Sequence, residues 1–303
     1  MLVLGEGMKK LHKNVYFSTT SDGLNIGCVV GEDGAVSIDL PLKVDEALHW
    51  QAQIQELAHR PLRAIVYTST DRVNSDALKA LAPNMGAFSI PAIIQDAGFN
   101  QLYSALEAAQ PRMLEPLSPV QLRENTVLPD LTFSDSATFT LGMEEPIRID
   151  IANAGGYAPG SATVTIRDTG VMFVGWLAAS HEPPWMLTTN LDTWVSTLTG
   201  LKRNRKIKTI VSASGPVGDA GMLGQTLEYL RAVNSSVKRL VRTHKSRESI
   251  ASLVPDLLEI YIDGKTGAPS IEREVMAQRI QNGLERIYDE LVTRTIVQPT
   301  TEP

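Results

Sequence analysis

The chain has 303 residues, of which 43% are hydrophobic and 20% are charged. That is enough apolar material for one large core or two modest ones. Its longest apolar runs have the length of a strand, which excludes a bilayer-spanning helix, and the opening MLVLGEGMKK lacks the pattern of a signal peptide. Cys28 is the only cysteine, so an intrachain disulfide and a cysteine-based metal cluster are excluded. We therefore expect a cytoplasmic protein that does not associate with membranes.

Charge is unevenly distributed along the chain. The whole chain carries a formal net charge of −6, but residues 201–247 contain eleven Lys and Arg against two Asp and Glu, a net +9 that leaves −15 for the remainder. A basic stretch of this kind can bind nucleic acid, although it is more often the solvated face of a helix. Tyr229 is its only Phe, Tyr or Trp residue, and the protein as a whole is acidic. The sequence therefore disfavours nucleic acid as a partner.

The first regular element that the sequence predicts is a strand pair between residues 14 and 39. In LNIGCVV every second residue is apolar and shares one face, which is the period of a strand; these residues are Leu24, Ile26, Cys28 and Val30. The Gly-Glu-Asp-Gly sequence at 31–34 supplies a turn, and AVSID continues as the partner strand. We expect Cys28 to be buried as a small hydrophobe and not to act as a nucleophile.

Periodicity and turn residues predict the remaining elements. Helices show apolar residues at three- and four-residue steps, whereas strands are short β-rich runs bounded by Gly, Pro or Asp. The first half is predicted to contain a helix over 43–59, a strand over 63–68, a helix over 75–81, a strand over 87–90, a helix from Pro91 to about 109 and an extended connection over 110–130. The second half is predicted to contain strands over 131–135, 137–141, 147–152, 161–167 and 171–175, a helix over 188–201, a strand over 208–213, and helices over 220–243 and 271–292.

This order of elements predicts an α/β sandwich followed by a helical C-terminal appendage. The last helix, over 271–292, carries apolar residues on one face. We expect that face to pack on the body of the protein or on a second copy of the chain, in which case the C-terminal helices would form a homodimer.

Four segments, in this order, resemble the metallo-β-lactamase superfamily. The strand pair ending at Asp39 is similar to its opening hairpin. The other three segments are AIVYTSTDRVNSDALKAL (64–81), GGYAPGSATVTI with VMFVGW (155–176), and IVSASGPVGD (210–219), which are similar to its three metal-ligand regions. The resemblance covers about residues 14–235 and implies an αββα sandwich with mixed, mostly antiparallel sheets flanked by helices. It implies a metallo-β-lactamase-like domain over 1–240 and a helical extension over 241–303.

The resemblance also implies where the metal ligands of the superfamily, five His and two Asp for one or two Zn²⁺ or iron ions, would fall. Those positions are occupied here by Ser69, Asp71, Val73, Asn74, Tyr157, Trp176 and Ser214. Transition metals need imidazole, thiolate or carboxylate donors, and only Asp71 offers one. Val73 has no donor atom, and the indole N–H of Trp176 cannot ligate. We therefore expect no metal cofactor.

The glycines and prolines of the matching turns are retained while the ligands are lost; they are Gly156, Pro159, Gly160, Gly215 and Pro216. This combination favours a metal-free, non-catalytic protein of this fold, a pseudoenzyme that binds a ligand or serves in assembly. We expect Tyr157 and Trp176 to pack on one another or on Val73, with the phenol hydrogen-bonded to Asp71. They would either plug the former metal cavity or line a pocket for a small organic molecule. For the pocket, the candidate ligand-binding residues are Asp71, Tyr157, Trp176 and His181.

Two alternatives remain open at this point. One is a hydrolase with a metal-free mechanism, or with a relocated metal on Asp39, Asp71, Asp76 or His181. A serine-nucleophile version of it lacks support, because neither Ser161 nor Ser214 stands in a G-x-S-x-G elbow. The other is a nucleic-acid-binding protein that uses the basic stretch 201–247.

Overall fold

The structure is a computed structural model that describes residues 7–81, 91–109, 128–179, 182–186, 189–262 and 270–297. Its strands are β1 (Lys9–His12), β2 (Val15–Thr19), β3 (Asn25–Gly31), β4 (Gly34–Ile38), β5 (Leu62–Val66), β6 (Ala92–Gln95), β7 (Leu131–Phe133), β8 (Ser136–Leu141), β9 (Ile147–Asn153), β10 (Ala162–Ile166), β11 (Val171–Gly175) and β12 (Thr209–Ser212). Its α-helices are α1 (Val44–Ala58), α2 (Ser75–Leu81), α3 (Asp96–Ala109), α4 (Leu191–Arg203), α5 (Ala220–Arg242), α6 (Val254–Ile262) and α7 (Ser270–Val297). Short 3₁₀ helices cover Thr70–Arg72 and Arg247–Leu253.

The first sheet contains β1 to β7 in chain order. Strands β1 to β4 pair antiparallel, and β4 to β7 pair parallel. The predicted β3–β4 hairpin is confirmed, with Gly31 opposite Gly34. Both faces of β3 are covered, because Ile26 and Cys28 pack with the helices while Val29 packs with the second sheet. Cys28 is fully buried, as the alternation predicted.

The second sheet has the order β12-β11-β10-β9-β8. Its strands pair antiparallel except for β11 and β12, which are parallel. Its inner face meets the first sheet in one apolar cluster, to which Val36 and Val66 contribute from the first sheet and Val164 and Phe173 from the second. The two sheets are therefore stacked on a shared core.

A helical layer covers the outer face of each sheet. Helix α1 buries Trp50 and Ile54, and α2 buries Leu78, against the first sheet. On the second sheet, helices α4 to α7 form one cluster that includes Trp194 and Leu284. The layers therefore run helix, sheet, sheet, helix, which confirms the predicted αββα sandwich.

The C-terminal helices belong to the outer layer of the second sheet. Helix α7 buries Ile280, Leu284 and Ile287 in the same cluster as Leu230 of α5 and Leu257 of α6. Its apolar stripe therefore packs on the body of the same chain. Among the described residues, no helix is both long enough and apolar enough to cross a membrane.

One element was predicted wrongly, and four short ones were missed. The helix expected from Pro91 begins only at Asp96, because Ala92, Ile93 and Ile94 are buried in strand β6, between β5 and β7. A short apolar run after a proline fits a buried parallel strand as well as a helix, and the sheet decides. Strand β1, the two 3₁₀ helices and helix α6 were not predicted. The strand expected over 87–90 lies outside the described residues.

Candidate functional site

Four loops meet at one end of the sandwich, and backbone hydrogen bonds tie them together. In the loop after β5, Thr68 O accepts a hydrogen bond from Ala162 N at the start of β10 (2.8 Å). The loop after β12 donates from Ala213 N to Gly175 O at the end of β11 (2.8 Å). Asn25 N donates to Ala213 O (2.7 Å) and so joins that loop to the first sheet. These loops carry the residues that the sequence singles out.

A buried ion pair fixes the loop after β5 from beneath. Asp39, with a backbone φ of 57°, accepts hydrogen bonds from Thr68 N (2.9 Å) and Thr68 Oγ1 (2.7 Å). Its carboxylate lies 3.5 Å from Nε of Arg72, which is 1% exposed and donates to Asn25 O (2.8 Å). Burial raises the pKa of Asp39, and the Arg72 charge and the Thr68 bonds oppose that rise. Asp39 therefore points into the protein and serves the scaffold, so it is not placed to hold a relocated metal.

Asp71, in the 3₁₀ helix Thr70–Arg72, is exposed and forms the candidate cleft together with Tyr157 and Trp176. Its Oδ1 accepts from Ser69 Oγ (2.5 Å) and its Oδ2 accepts from the indole N–H of Trp176 (2.7 Å). Asp71 is exposed to solvent and Trp176 is half-buried. The phenol of Tyr157 was expected to donate to Asp71, and this was wrong: the donor is the indole of Trp176.

Tyr157 and Trp176 contact one another, as expected. Their rings are stacked with centroids 6.3 Å apart, and the Tyr157 ring meets Trp194 edge-on at 5.5 Å. Tyr157 is half-buried and packs against the second helical layer. Burial, and to a lesser degree the charge of Asp71, raises the pKa of the Tyr157 phenol, so the hydroxyl is neutral and can donate. Val73 is not part of this group, because it packs with the first helical layer.

Asn74, another of the seven positions that the resemblance assigned to ligands, caps helix α2. The Asn74 side chain accepts at Oδ1 from the backbone N–H groups of Asp76 (2.8 Å) and Ala77 (3.1 Å). Its Nδ2 donates to Leu42 O (2.6 Å). Asn74 is thus an N-cap residue, and Asp76 is exposed in the first turn of the helix.

Ser214, in the loop after β12, is hydrogen-bonded to a pair of residues that the sequence analysis missed, Glu182 and Arg279. Ser214 Oγ donates to Glu182 Oε1 (3.1 Å), and Glu182 Oε2 accepts from Arg279 Nη1 of α7 (2.7 Å). The Arg279 guanidinium lies over the ring of Trp185, 4.4 Å from its centroid. No sequence signal joins Glu182 to Arg279, which are 97 residues apart. His181, the neighbour that was singled out, lies outside the described residues.

Close backbone approaches shape the turn before β10. Gly156 and Gly160 have φ of +126° and +82°. A Cβ atom on Gly156 would collide with the backbone of Trp194, and one on Gly160 with Cα of Gly98 on α3. Only glycine fits both the backbone conformation and the space. The turn that presents Tyr157 is therefore held against both helical layers.

Comparison with solved structures identifies this architecture. The metallo-β-lactamase from Pontibacter korlensis superposes with a TM-score of 0.58 at 19% identity, over 74% of this chain and 98% of that one. VMB-1 gives a TM-score of 0.60 at 15% identity, over 77% and 100%, and the metallo-β-lactamase DIM-1 gives 0.60 at 16%, over 76% and 98%. The chain has the metallo-β-lactamase fold. No protein-family profile and no curated protein sequence matches it.

The metallo-β-lactamase fold implies a metal centre, and the residues at the seven positions that the sequence resemblance assigned to its ligands do not fit one. No three His, Cys, Asp or Glu residues converge in the described part of the chain. Asp71 already accepts from two donors, Asn74 caps a helix and Ser214 donates to Glu182. A metal ion needs lone pairs directed at it, whereas this cleft directs hydrogen-bond donors at a carboxylate.

Proposed function

We propose that the chain is a metal-independent, non-catalytic member of this fold class that binds a small organic molecule in the cleft at the end of the sandwich. One observation carries the proposal: an exposed carboxylate, Asp71, is held by two donors beside the stacked, half-buried rings of Tyr157 and Trp176. Apolar faces beside a few oriented polar groups are the usual character of ligand sites.

The half-burial of the rings supports a pocket over a plug. Trp194, which also touches Tyr157, has no exposed surface. Tyr157 and Trp176 both retain exposed surface, and Asp71 is open to solvent. If the two rings only filled the cavity left by a lost metal, we would expect both side chains to be fully buried, as Trp194 is. The pair is therefore suited to face a bound molecule.

Metal content and hydrolysis test the first half of the proposal. Protein purified without chelator should carry far less than one equivalent of zinc, iron or manganese by elemental analysis. A chromogenic cephalosporin, a thioester and a phosphodiester should react no faster than in buffer, because no group in the cleft activates water as a bound metal would. Stoichiometric metal, or hydrolysis that a chelator abolishes, would contradict it.

Binding of a neutral aromatic probe tests the second half. Phenylacetamide should bind with chelator present or absent, as followed by ligand-observed NMR, and Trp176→Ala should abolish that binding. Tyr16→Ala removes another half-buried ring, on β2 and packed with the first helical layer, and should leave binding intact. Equal loss in both variants, or none in either, would speak against a site at Trp176.

A further inference from the structure

The Asp71 carboxylate is oriented by neutral donors and carries an unpaired charge. Its Oδ1 accepts from the Ser69 hydroxyl (2.5 Å) and its Oδ2 from the indole N–H of Trp176 (2.7 Å). In the described part of the chain Asp71 belongs to no ion pair. A carboxylate offers about four lone-pair positions, so this one can accept further hydrogen bonds from its solvent side.

The other carboxylates that lie near the cleft loops have a cation of their own. Asp39 Oδ2 lies 3.5 Å from Nε of Arg72, and Glu182 Oε2 lies 2.7 Å from Nη1 of Arg279. The charges within each of these pairs cancel. Among the described residues, the loops at this end of the sandwich therefore present one unbalanced charge to solvent, the negative charge of Asp71.

The aromatic rings beside Asp71 add to this negative potential. The indole N–H of Trp176 lies in the plane of its ring, so the carboxylate meets the positive edge of the ring. The ring faces of Trp176 and Tyr157, whose centroids are 6.3 Å apart, carry the negative part of the quadrupole. A cation next to Asp71 is therefore attracted by the carboxylate and by a ring face at the same time.

We propose that the cleft binds a small organic cation, a protonated amine or amidinium, whose N–H groups donate to Asp71 and whose apolar body lies against Tyr157 and Trp176. This rests on the proposed function and names its ligand class. A ligand can reach all three groups from solvent, because Asp71 is exposed and both rings are half-buried. An anionic ligand would place its charge against the carboxylate and be repelled.

Three probes of nearly the same shape test this inference, because they differ in the charge on one carbon. Phenylacetamidine is a cation, phenylacetamide is neutral and phenylacetate is an anion. In NMR or calorimetric titrations at low salt, phenylacetamidine should bind at least about fivefold more tightly than phenylacetamide, since an exposed ion pair and a cation–π contact each contribute modestly. Phenylacetate should bind most weakly of the three.

Salt gives a test that needs no variant. Between about 50 mM and about 500 mM sodium chloride, the advantage of phenylacetamidine should shrink, because attraction to an exposed carboxylate is screened. The affinity for phenylacetamide should stay unchanged over the same range, since this probe carries no charge.

Asp71→Asn removes the charge and keeps the size of the side chain and one acceptor oxygen. It should erase the advantage of phenylacetamidine, while binding of phenylacetamide shows that the cleft is still formed. The control is Asp168→Asn, in the turn between β10 and β11 and thus at the far end of β10 from the cleft. Asp168 is exposed and has a φ of 68°, a conformation that Asn also adopts. This variant should keep the full advantage.

Three outcomes would overturn the inference while leaving a cleft for neutral ligands in place. They are equal affinity for phenylacetamidine and phenylacetamide, phenylacetate binding as tightly as phenylacetamidine, and an advantage of phenylacetamidine that persists in Asp71→Asn. Failure of the proposed function itself would look different. None of the three probes would bind, or the protein would contain stoichiometric metal or show chelator-sensitive hydrolysis.

Discussion

Asp71 stands at a position that the sequence resemblance assigned to a metal ligand, and its carboxylate is hydrogen-bonded on both oxygens. A ligand carboxylate directs lone pairs at a cation, but both Asp71 oxygens here accept hydrogen bonds, from Ser69 and Trp176. Ser69 and Trp176 are two further positions that the sequence resemblance assigned to metal ligands. Both oxygens of the Asp71 carboxylate are therefore satisfied by hydrogen-bond donors of this chain.

Trp176 and Trp194 give a matched pair for a stability test. Trp194 is fully buried and donates from its indole to Leu177 O (2.9 Å), so Trp194→Ala should cost about 3–5 kcal/mol of unfolding free energy. Trp176 is half-buried, and Trp176→Ala should cost less than about half of that. Urea unfolding at neutral pH measures both. A loss for Trp176→Ala as large as that for Trp194→Ala would favour a plug over a pocket.

At the scale of elements, strand β3 is buried on both faces and carries the only thiol of the chain. Burial raises the pKa of Cys28 from its ordinary 9.0 to about 12. The native state therefore holds a proton that the unfolded state has lost, and this contribution to stability is complete below pH 9 and disappears as the pH rises towards 12. The loss amounts to about 1.4 kcal/mol per pH unit in that window.

Cys28→Ala should remove this alkaline slope. The variant should be somewhat less stable at neutral pH, because a small cavity replaces the sulfur. Its unfolding free energy should then fall less steeply than that of the unchanged protein above about pH 9, as measured by urea titrations at a series of pH values. Curves that run parallel throughout would mean that the thiol ionises equally well in the folded state. Buried phenols such as Tyr67 add their own slope to both proteins.

Periodicity predicted most elements because the spacing of apolar residues in an element depends only on which of its sides is buried. The alternation in β3 and the helical spacing of α5, predicted over 220–243 and found over Ala220–Arg242, depend only on which side faces a core. Strand β6 was misassigned because four residues after Pro91 are too few to show a period. The strand is too short for its apolar residues to distinguish a strand from a helix.

Contacts between distant elements were predictable only where the resemblance had already placed two residues together. It assigned Tyr157 and Trp176 to one cleft, so their contact could be expected. Glu182 and Arg279 lie in none of the matching segments, and an ion pair between a loop and the last helix leaves no trace in either local pattern. The polar half of the cleft was therefore missed.

At the scale of the whole molecule, the C-terminal helix closes the second layer and also reaches the cleft. Arg279 and Arg286 are seven residues apart on α7 and contact the same loop, through Glu182 and through Thr189 Oγ1 (2.5 Å). The body and its helical extension thus share one core and one cleft. Pairing of two copies through these helices stays a prediction; Val275, 54% exposed, is an apolar side chain available for it.

All eleven Lys and Arg residues of the basic stretch 201–247 are exposed. The buried side of α5 carries Leu227, Leu230 and Val233, while its cations lie on the opposite side. Two cations of the stretch are already paired, Lys238 with Asp192 (3.4 Å) and Arg247 with Asp289 (3.1 Å). Such a face can attract a polyanion only through diffuse charge, and this attraction is screened by salt.

Binding to nucleic acid should accordingly be weak, without sequence preference and absent at physiological salt. Fluorescence anisotropy with labelled single-stranded and duplex DNA, at about 50 mM and about 200 mM salt, would measure it, because phosphate contacts lose affinity steeply over that range. Any low-salt binding should fall when Lys202 and Lys206, both exposed, are changed to Glu. The control is Lys13→Glu, since Lys13 is 72% exposed and lies outside the stretch. Tight binding that survives the higher salt and depends on Lys202 and Lys206, but not on Lys13, would instead make the stretch a nucleic-acid site.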